Sequence, residues 1–475
     1  MRNIRHTILS VEAFDGCTPH LTPYQRCVSM RIRTFIQATL SWFVLTSLLP
    51  VILFASERAD NVSGSFALSE YTNLEHYLLR AQSNNPQLNA FKSRYEAAIQ
   101  RIPQAASLPD PVFQVTHFVE SVQTRTGPQE NIFMLSQKLP WFGKLSSRES
   151  TASAEAEALW YAYQNQQLML ARMVSLAFYE YGYTQEAIRL TEQNRDLLHK
   201  LEPIVEEKVR AGADLNALLR LKVEIGKIDD RLQTLMQKRV AQSAKLSELL
   251  ALPETLILPW PEWEAPTVFA PDSPSMVAAI RANNPELAML ERKIASAEAS
   301  REIARLESYP DISLGLNYIQ VGDPVVNPTT PDAGQDPWGV TVAVSIPIWF
   351  EKYDAARAEA LASKRSFESE YENRYNALRA ELFSSLAILK DANRRLELYG
   401  TELLALAKQA VENSRTSYEG GRTGILEVID SERSLLDLQL LYWRAAADAW
   451  KQRIIIQTLA NQPILGTFKA TRENE

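Results

Sequence analysis

Between residues 312 and 346 apolar side chains recur at every second position. Ile312, Leu314, Leu316 and Tyr318 alternate with Ser313, Gly315 and Asn317; after a loop, Val340, Val342, Val344 and Ile346 alternate with Gly339, Thr341, Ala343 and Ser345. A period of two places one kind of residue on each face of a β-strand. A weaker pair of runs precedes it: Phe113, Val115 and Val119, interrupted by His117, and then Ile132 to Leu139, nearly all apolar. Hairpins are therefore predicted over 112–139 and 311–347, with strands of about 8–10 residues, the length of a tilted strand crossing a bilayer.

Elsewhere the period is helical. Leu145 to Arg210 holds one glycine, Gly182, and no proline before Pro203, and Ala356 to Glu419 holds no proline at all. Some 60 helical residues reach roughly 90 Å, longer than a compact domain needs and suited to a coiled coil or a tunnel wall. Phe367, Tyr371, Tyr375, Leu378, Leu382, Leu386 and Leu389 repeat every eleven residues, which favours nearly straight or slightly right-handed packing. This stripe is read as core. The returning helices, Leu215 to Leu250 and Ile425 to Leu459, are amphipathic as well.

These elements occur twice, at a spacing of about 200 residues. Asn84-Asn85-Pro86-Gln87-Leu88 and Asn283-Asn284-Pro285-Glu286-Leu287 each open a helix, with asparagine as cap and proline where a missing N–H does no harm. Each helix stops at proline, at Pro109-Asp110-Pro111 and at Pro310-Asp311. Each hairpin closes on a matching phrase, Leu139-Pro140-Trp141-Phe142-Gly143-Lys144 and Ile346-Pro347-Ile348-Trp349-Phe350-Glu351-Lys352. Each long helix then breaks at glycine, at Ala211-Gly212-Ala213-Asp214 and at Gly420-Gly421-Arg422-Thr423-Gly424. The predicted organisation is a first repeat over 57–250, a proline-rich linker over 251–275, a second repeat over 276–462 and a polar tail over 463–475.

Four strands cannot close a barrel alone, and an open sheet edge is not tolerated in lipid. If these strands cross a membrane, several copies share one barrel, and three copies supply twelve strands. The alternative is two soluble hairpins packed on helices.

The N-terminus fits export. Arg31 and Arg33 precede an apolar run from Trp42 to Ala55, too short to span a bilayer, and residues 1–56 are read as a signal peptide region; an inner-membrane anchor is the other reading, and a true start at Met30 stays open. Both cysteines, Cys17 and Cys27, lie upstream of the proposed cleavage, so the mature chain has no disulfide, thiol nucleophile or thiolate metal site, and no cysteine for a lipid anchor. A net charge of -7 excludes a broad basic surface for nucleic acid, and a mean hydropathy of -0.21 is too polar for a bundle of membrane helices.

In their order and spacing these phrases, from about Ala67 to Leu465, resemble the TolC-type outer-membrane efflux proteins. Gln137-Lys138-Leu139-Pro140-Trp141-Phe142-Gly143-Lys144 is similar to the phrase of the heavy-metal and cation efflux branch. The resemblance implies a mainly α fold with transmembrane β, internally duplicated: a homotrimer in which a long α-helical coiled-coil barrel in the periplasm continues into a 12-stranded β-barrel in the outer membrane, four strands per protomer. It implies a passive exit duct served by an RND-type inner-membrane pump through a periplasmic adaptor, or membrane fusion protein.

It also implies site residues. Tyr418 to Asp430 is similar to the family's periplasmic tip, where a tyrosine and an arginine latch helices shut and two acidic residues ring the aperture; Tyr418, Arg422, Glu427 and Asp430 match those types, although the gap between Arg422 and Glu427 departs by one residue. The alternative is that the two acids are solvated charges near a helix start. Gly212, Asp214, Leu215, Gly421, Gly424 and Ile425 turn the two helical hairpins and are read as adaptor-docking tips; otherwise they are turn glycines and helix caps. No phosphate-binding loop, dinucleotide fingerprint, HExxH or CxxC is present, and His76, His117 and His199 lack ligand spacing, so no enzyme, cofactor or metal site is expected. A non-pore periplasmic coiled-coil adaptor or scaffold is the competing class. It would show one hairpin flanked by β-rich domains, whereas this chain has two, with strands between helices. Cargo is not legible beyond the branch resemblance.

Overall fold

The computed structural model describes residues 72–324, 329 and 331–464; the signal region read over 1–56 and the tail beyond Ile464 lie outside them. Helix α1 (Leu74–Asn84) leads into α2 (Pro86–Ile99) and the short α3 (Arg101–Ala106). The hairpin β1 (Val112–Thr124) and β2 (Gly127–Leu139) follows, then α4 (Lys144–Arg210) and α5 (Leu215–Leu250). The second repeat keeps this order: α6 (Ser273–Asn283), α7 (Pro285–Leu306), β3 (Ile312–Val321), β4 (Trp338–Val344), α8 (Phe350–Glu397), a π-helical turn at Leu398–Leu403, α9 (Leu404–Glu419) and α10 (Ile425–Leu459). No helix among the described residues is long and apolar enough to cross a membrane.

The duplicated caps do the same work twice. Asn85 Oδ1 accepts from the Leu88 N–H at 3.1 Å, and its amide donates to the Leu249 carbonyl at 3.2 Å. Asn284 Oδ1 accepts from the N–H groups of Glu286 and Leu287, and its amide donates to the Leu459 carbonyl at 3.0 Å. Aspartate could cap but could not donate. Asparagine therefore starts one helix and holds the far end of the returning one with a single side chain.

The helices differ from expectation in two places. The segment opened by Pro86 breaks at Gln100, because Pro103 has no N–H to give the preceding turn; α7, without an internal proline, runs unbroken from Pro285 to Leu306. The stretch read as continuous to Glu419 starts at Phe350 and widens into the π turn, where a Cβ on Gly400 would lie 3.1 Å from the Tyr442 ring. The stripe of Leu378, Leu382 and Leu389 is buried in one core cluster with Met276, Ile280, Leu287 and Leu459, and Tyr371, Tyr375 and Leu386 pack against it.

The proline-rich segment after α5 is strapped across the helices. Leu258 N–H donates to Ser243 Oγ (2.8 Å), the Tyr181 hydroxyl donates to the Leu258 carbonyl (2.7 Å), and Trp450 Nε1 donates to the Glu264 carbonyl (2.9 Å). Trp263 lies so close to α4 that a Cβ on Gly182 would sit 2.6 Å from its indole nitrogen, which explains the glycine inside that long helix.

The four strands form one antiparallel sheet in chain order. Its register aligns Phe113, Leu135, Leu316 and Val340 in one row and Val115, Phe133, Tyr318 and Trp338 in the next. The row beyond is polar: His117 Nδ1 lies 2.8 Å from Asn131 Oδ1, and Asn131 Nδ2 donates to Gln320 Oε1 at 2.7 Å. The opposite face carries Gln114, Ser136, Asn317, Gly315, Gly339 and Thr341, with Met134 among them. The apolar face is bare in the protomer: Val340 is 67% exposed and Trp338 72%. Phe142, Trp349 and Phe350, just past the hairpins, are exposed too.

Strand lengths depart from the expected 8–10 residues. Strands β1 and β2 have 13 each, and β1 absorbs its extra length as an irregularity between His117 and Val122. Strand β4 has only 7 and stops short of Ile346, because the Asp311 N–H donates to the Ser345 Oγ (2.7 Å) in place of a backbone carbonyl and Pro347 has no donor.

Candidate functional site

Both helical hairpins turn by the same device. At the first, the Ala213 N–H bonds the Lys208 carbonyl and the Gly212 N–H bonds that of Val209; at the second, Arg422 and Gly421 donate to Ser417 and Tyr418. This paired capping needs a left-handed residue, and Gly212 and Gly421 supply it at φ +105° and +70°. Asp214 then caps α5 by accepting from the Asn216 N–H at 2.9 Å, whereas Gly424 starts α10 without a side-chain cap.

The tips meet within the protomer. Lys208 Nζ, from the last turn of α4, donates to the Tyr418 carbonyl at 3.0 Å and stands 3.7 Å from the centre of the Tyr418 ring. Tyr418 is 7% exposed, in a cluster with Val205, Leu221, Ile225 and Val428, and burial raises the pKa of its hydroxyl. Arg422, Glu427 and Asp430 follow in the same hairpin and remain exposed, with no ion pair to a described residue of the chain. Leu215 is exposed at the first tip. Ile425 is not: read as docking surface, it is 2% exposed and packs inward with Val428 and Ile429, because the helix starting at Gly424 turns that side chain under the hairpin.

Above the tips is a charged layer that the sequence reading missed. Arg433 on α10 grips Glu224 on α5 at 3.2 and 2.6 Å. Glu432, 4% exposed, is paired at 2.9 Å with Arg415 on α9. Both acids border a cavity of about 270 Å³ together with Asn194, Lys227, Arg231 and Asp437. Burial pushes Glu432 above the usual carboxylate range despite Arg415. For Glu224 burial acts the same way, but Arg433 and Lys227 outweigh it and hold the group below that range. A signal existed: Glu432 interrupts the buried stripe Ile425, Ile429, Leu436, Leu440, and a charge inside an apolar stripe must find a partner. Higher up, Glu180 on α4 gathers Lys238 of α5 (3.0 Å) and Arg444 and Lys451 of α10, with Arg444 at 3.0 and 2.9 Å.

At the other end the matching phrases converge. Lys144, buried, donates to Asp311 Oδ1 at 2.6 Å and to the Tyr309 carbonyl at 3.1 Å; the Trp141 N–H donates to the same Asp311 oxygen at 3.0 Å, and Lys138 lies 3.1 Å from the other. Burial alone would raise the Asp311 pKa, but these donors hold it at about 2. Among the described residues no group of three or more His, Cys, Asp or Glu is placed to hold a metal ion.

Residues 276–462 match the outer membrane efflux protein family. The chain is 24% identical over 315 residues to the probable outer membrane lipoprotein SilC of Salmonella typhimurium, a match covering 64% of this chain and 66% of SilC, just under two thirds of that relative. Its fold is shared by the outer-membrane channel OprN (TM-score 0.70, 16% identity, 82% of this chain and 90% of OprN) and by the outer membrane protein VceC of Vibrio cholerae (TM-score 0.68, 16% identity, 82% and 96%).

Proposed function

We propose, on the premise that residues 276–462 are those of an outer membrane efflux protein, that the chain is one protomer of a passive exit duct. Three copies share a 12-stranded barrel in the outer membrane, and their helices form a tunnel in the periplasm that receives cargo from an RND-type inner-membrane pump through an adaptor. The observation that carries this reading is the sheet: four amphipathic strands, bare on their apolar face and unpaired along β1 and β4, joined directly to helices of up to 67 residues. A water-soluble scaffold has no use for such a face. In lipid it is tolerated only when like sheets close the ring. The aromatic row of Phe133, Tyr318 and Trp338, and the exposed Phe142, Trp349 and Phe350 below, stand where aromatic girdles mark the two interfaces of a membrane barrel. The cargo is heavy-metal cations or drugs, the former favoured by the Gln137–Lys144 phrase. Purified protein added to a planar bilayer should give discrete conductance steps and run as a heat-modifiable trimer from detergent; a monomer that ignores micelles ends the duct reading.

The gate lies at the tips. Tyr418, held by Lys208, fixes the second hairpin against the first, and Arg422 faces outward to a neighbouring copy. Glu427 and Asp430, each present three times around the axis, attract cations to the aperture. Glu427→Gln with Asp430→Asn should lower cation-over-anion permeability by at least about twofold, read as a shift in reversal potential; an unshifted potential removes the acidic ring.

Gly212, Asp214, Leu215, Gly421 and Gly424 form the adaptor-docking rim, above a buried Ile425. At Gly421 the surroundings are open, so tryptophan costs the left-handed strain of about 1–2 kcal/mol and little else in the protomer. Gly421→Trp should abolish export while trimers still reach the membrane, and normal export would count against docking there.

A further inference from the structure

The duplication assigns a contact that one copy of the chain cannot make alone. Strand β2 pairs with β3 in the middle of the sheet, Leu139 opposite Ile312, and beside that pairing the lysine ending the first phrase, Lys144, meets the aspartate of Pro310-Asp311. The other halves of the two motifs are Asp110, in Pro109-Asp110-Pro111 before β1, and Lys352, which ends the second phrase after β4. Strands β1 and β4 are the two edges of the sheet, so Asp110 and Lys352 belong to opposite margins. Three strand spacings separate those edges, about 14 Å. Both side chains are exposed. Lys352 lies 5.6 Å from the neighbouring Tyr353 ring, and neither residue has an ion pair among the described residues.

We propose that Asp110 of one copy and Lys352 of the next form the counterpart of the Lys144–Asp311 bridge, and that this pair fixes the register in which β4 of one protomer joins β1 of its neighbour. The inference rests on the shared-barrel reading. Three lines on the page support it. The charges are complementary and stand at the only unpaired edges of this sheet. The internal equivalent bonds at 2.6 Å with a second donor from the Trp141 backbone, so the motif is a working junction and not a sequence accident. A sheet edge that closes by pairing needs its register set, since a one-residue slip turns every apolar side chain to the wrong face. The second phrase is one residue longer than the first, a difference that the flexible lysine stem spans.

The test uses the full mature chain in detergent. A zero-length carbodiimide should join the Asp110 carboxyl to the Lys352 amine between chains, seen as covalent dimers and trimers and as one cross-linked peptide by mass spectrometry, and Asp110→Asn should remove that peptide. Asp110→Lys and Lys352→Asp should each cut the fraction of trimer surviving moderate heating in detergent by about tenfold, and the two combined should restore it to within about twofold. Both positions are exposed, so neither reversal disturbs the protomer. Intact trimers without the cross-linked peptide, or reversals that fail to rescue each other, overturn the latch and leave the duct standing. A wild-type chain that forms no trimer overturns both.

Discussion

If the chain is the proposed duct, arginine in place of Leu316 is expected to remove its trimer from the outer membrane altogether. Leu316 lies in the row of Phe113, Leu135 and Val340, between the polar row of His117, Asn131 and Gln320 and the strand ends at Ile312 and Val344. Its side chain is on the bare face. An arginine one row inside the aromatic row costs about 1–3 kcal/mol, between the interface and midplane values for a membrane barrel, and in the proposed ring three copies would each carry it, so the loss per assembly exceeds what one small sheet recovers. Outer-membrane fractions of the variant should lack the heat-modifiable trimer, while Thr341→Ser, one position over on the polar face, should assemble normally. A wild-type yield of Leu316→Arg trimer would mean that this face never meets lipid.

The second large effect belongs to Glu180. One carboxylate holds Lys238, Arg444 and Lys451 and so binds α4, α5 and α10 together at mid-height. Removing it leaves cations facing one another with only Asp448 nearby. The loss should fall near the lower end of that for breaking a buried pair, about 3 kcal/mol, because the side chain is a quarter exposed and Asp448 still reaches Arg444 at 2.7 Å. Glu180→Ala should lower the midpoint for thermal loss of helical dichroism, and an unchanged midpoint would show that the hub is decorative. The pH dependence has a definite sign. Burial works to raise the Glu180 pKa, but Lys451, Lys238 and Arg444 bring it from 4.5 to about 2. The folded state therefore binds its proton less readily than the unfolded chain. This contribution is complete above pH 4.5 and is lost as the pH falls toward 2. The variant should lack that part of the acid limb.

The duplication, the four strands and the long helices were legible because each rests on a local rule: the period-two run at Ile312–Tyr318, the Asn-Pro starts, the glycine breaks. What stayed hidden is relational. Nothing about residues 263 and 182 in sequence says that an indole lies on a glycine, and the prolines of the strap disclose irregularity but not where it is tied. The site divided the same way. The sequence marks Tyr418 together with Arg422, whereas the contact Tyr418 makes is with Lys208, 210 residues away. Glu224 and Glu432 were legible as charges in apolar stripes but were passed over, because their partners Arg433 and Arg415 come from helices whose alignment only the fold supplies. Ile425 misled because a residue beside a turn glycine is as free to turn inward as outward.

The two cap asparagines carry a consequence for biogenesis. Each amide ties ends of the same repeat, Asn85 to Leu249 and Asn284 to Leu459. The first half can therefore close on itself once Leu249 has emerged from the translocation machinery. The sheet obeys a different clock, since β2 finds β3 only across the boundary between halves. On the proposed export route, the first hairpin would wait for the second half with an open margin and a greasy side, the kind of intermediate that aggregates unless sheltered. Delivery of this chain should thus depend on a holding chaperone from completion of the first hairpin until like sheets close the ring, with the open margin moving from β2 to β4 once Ile312 arrives.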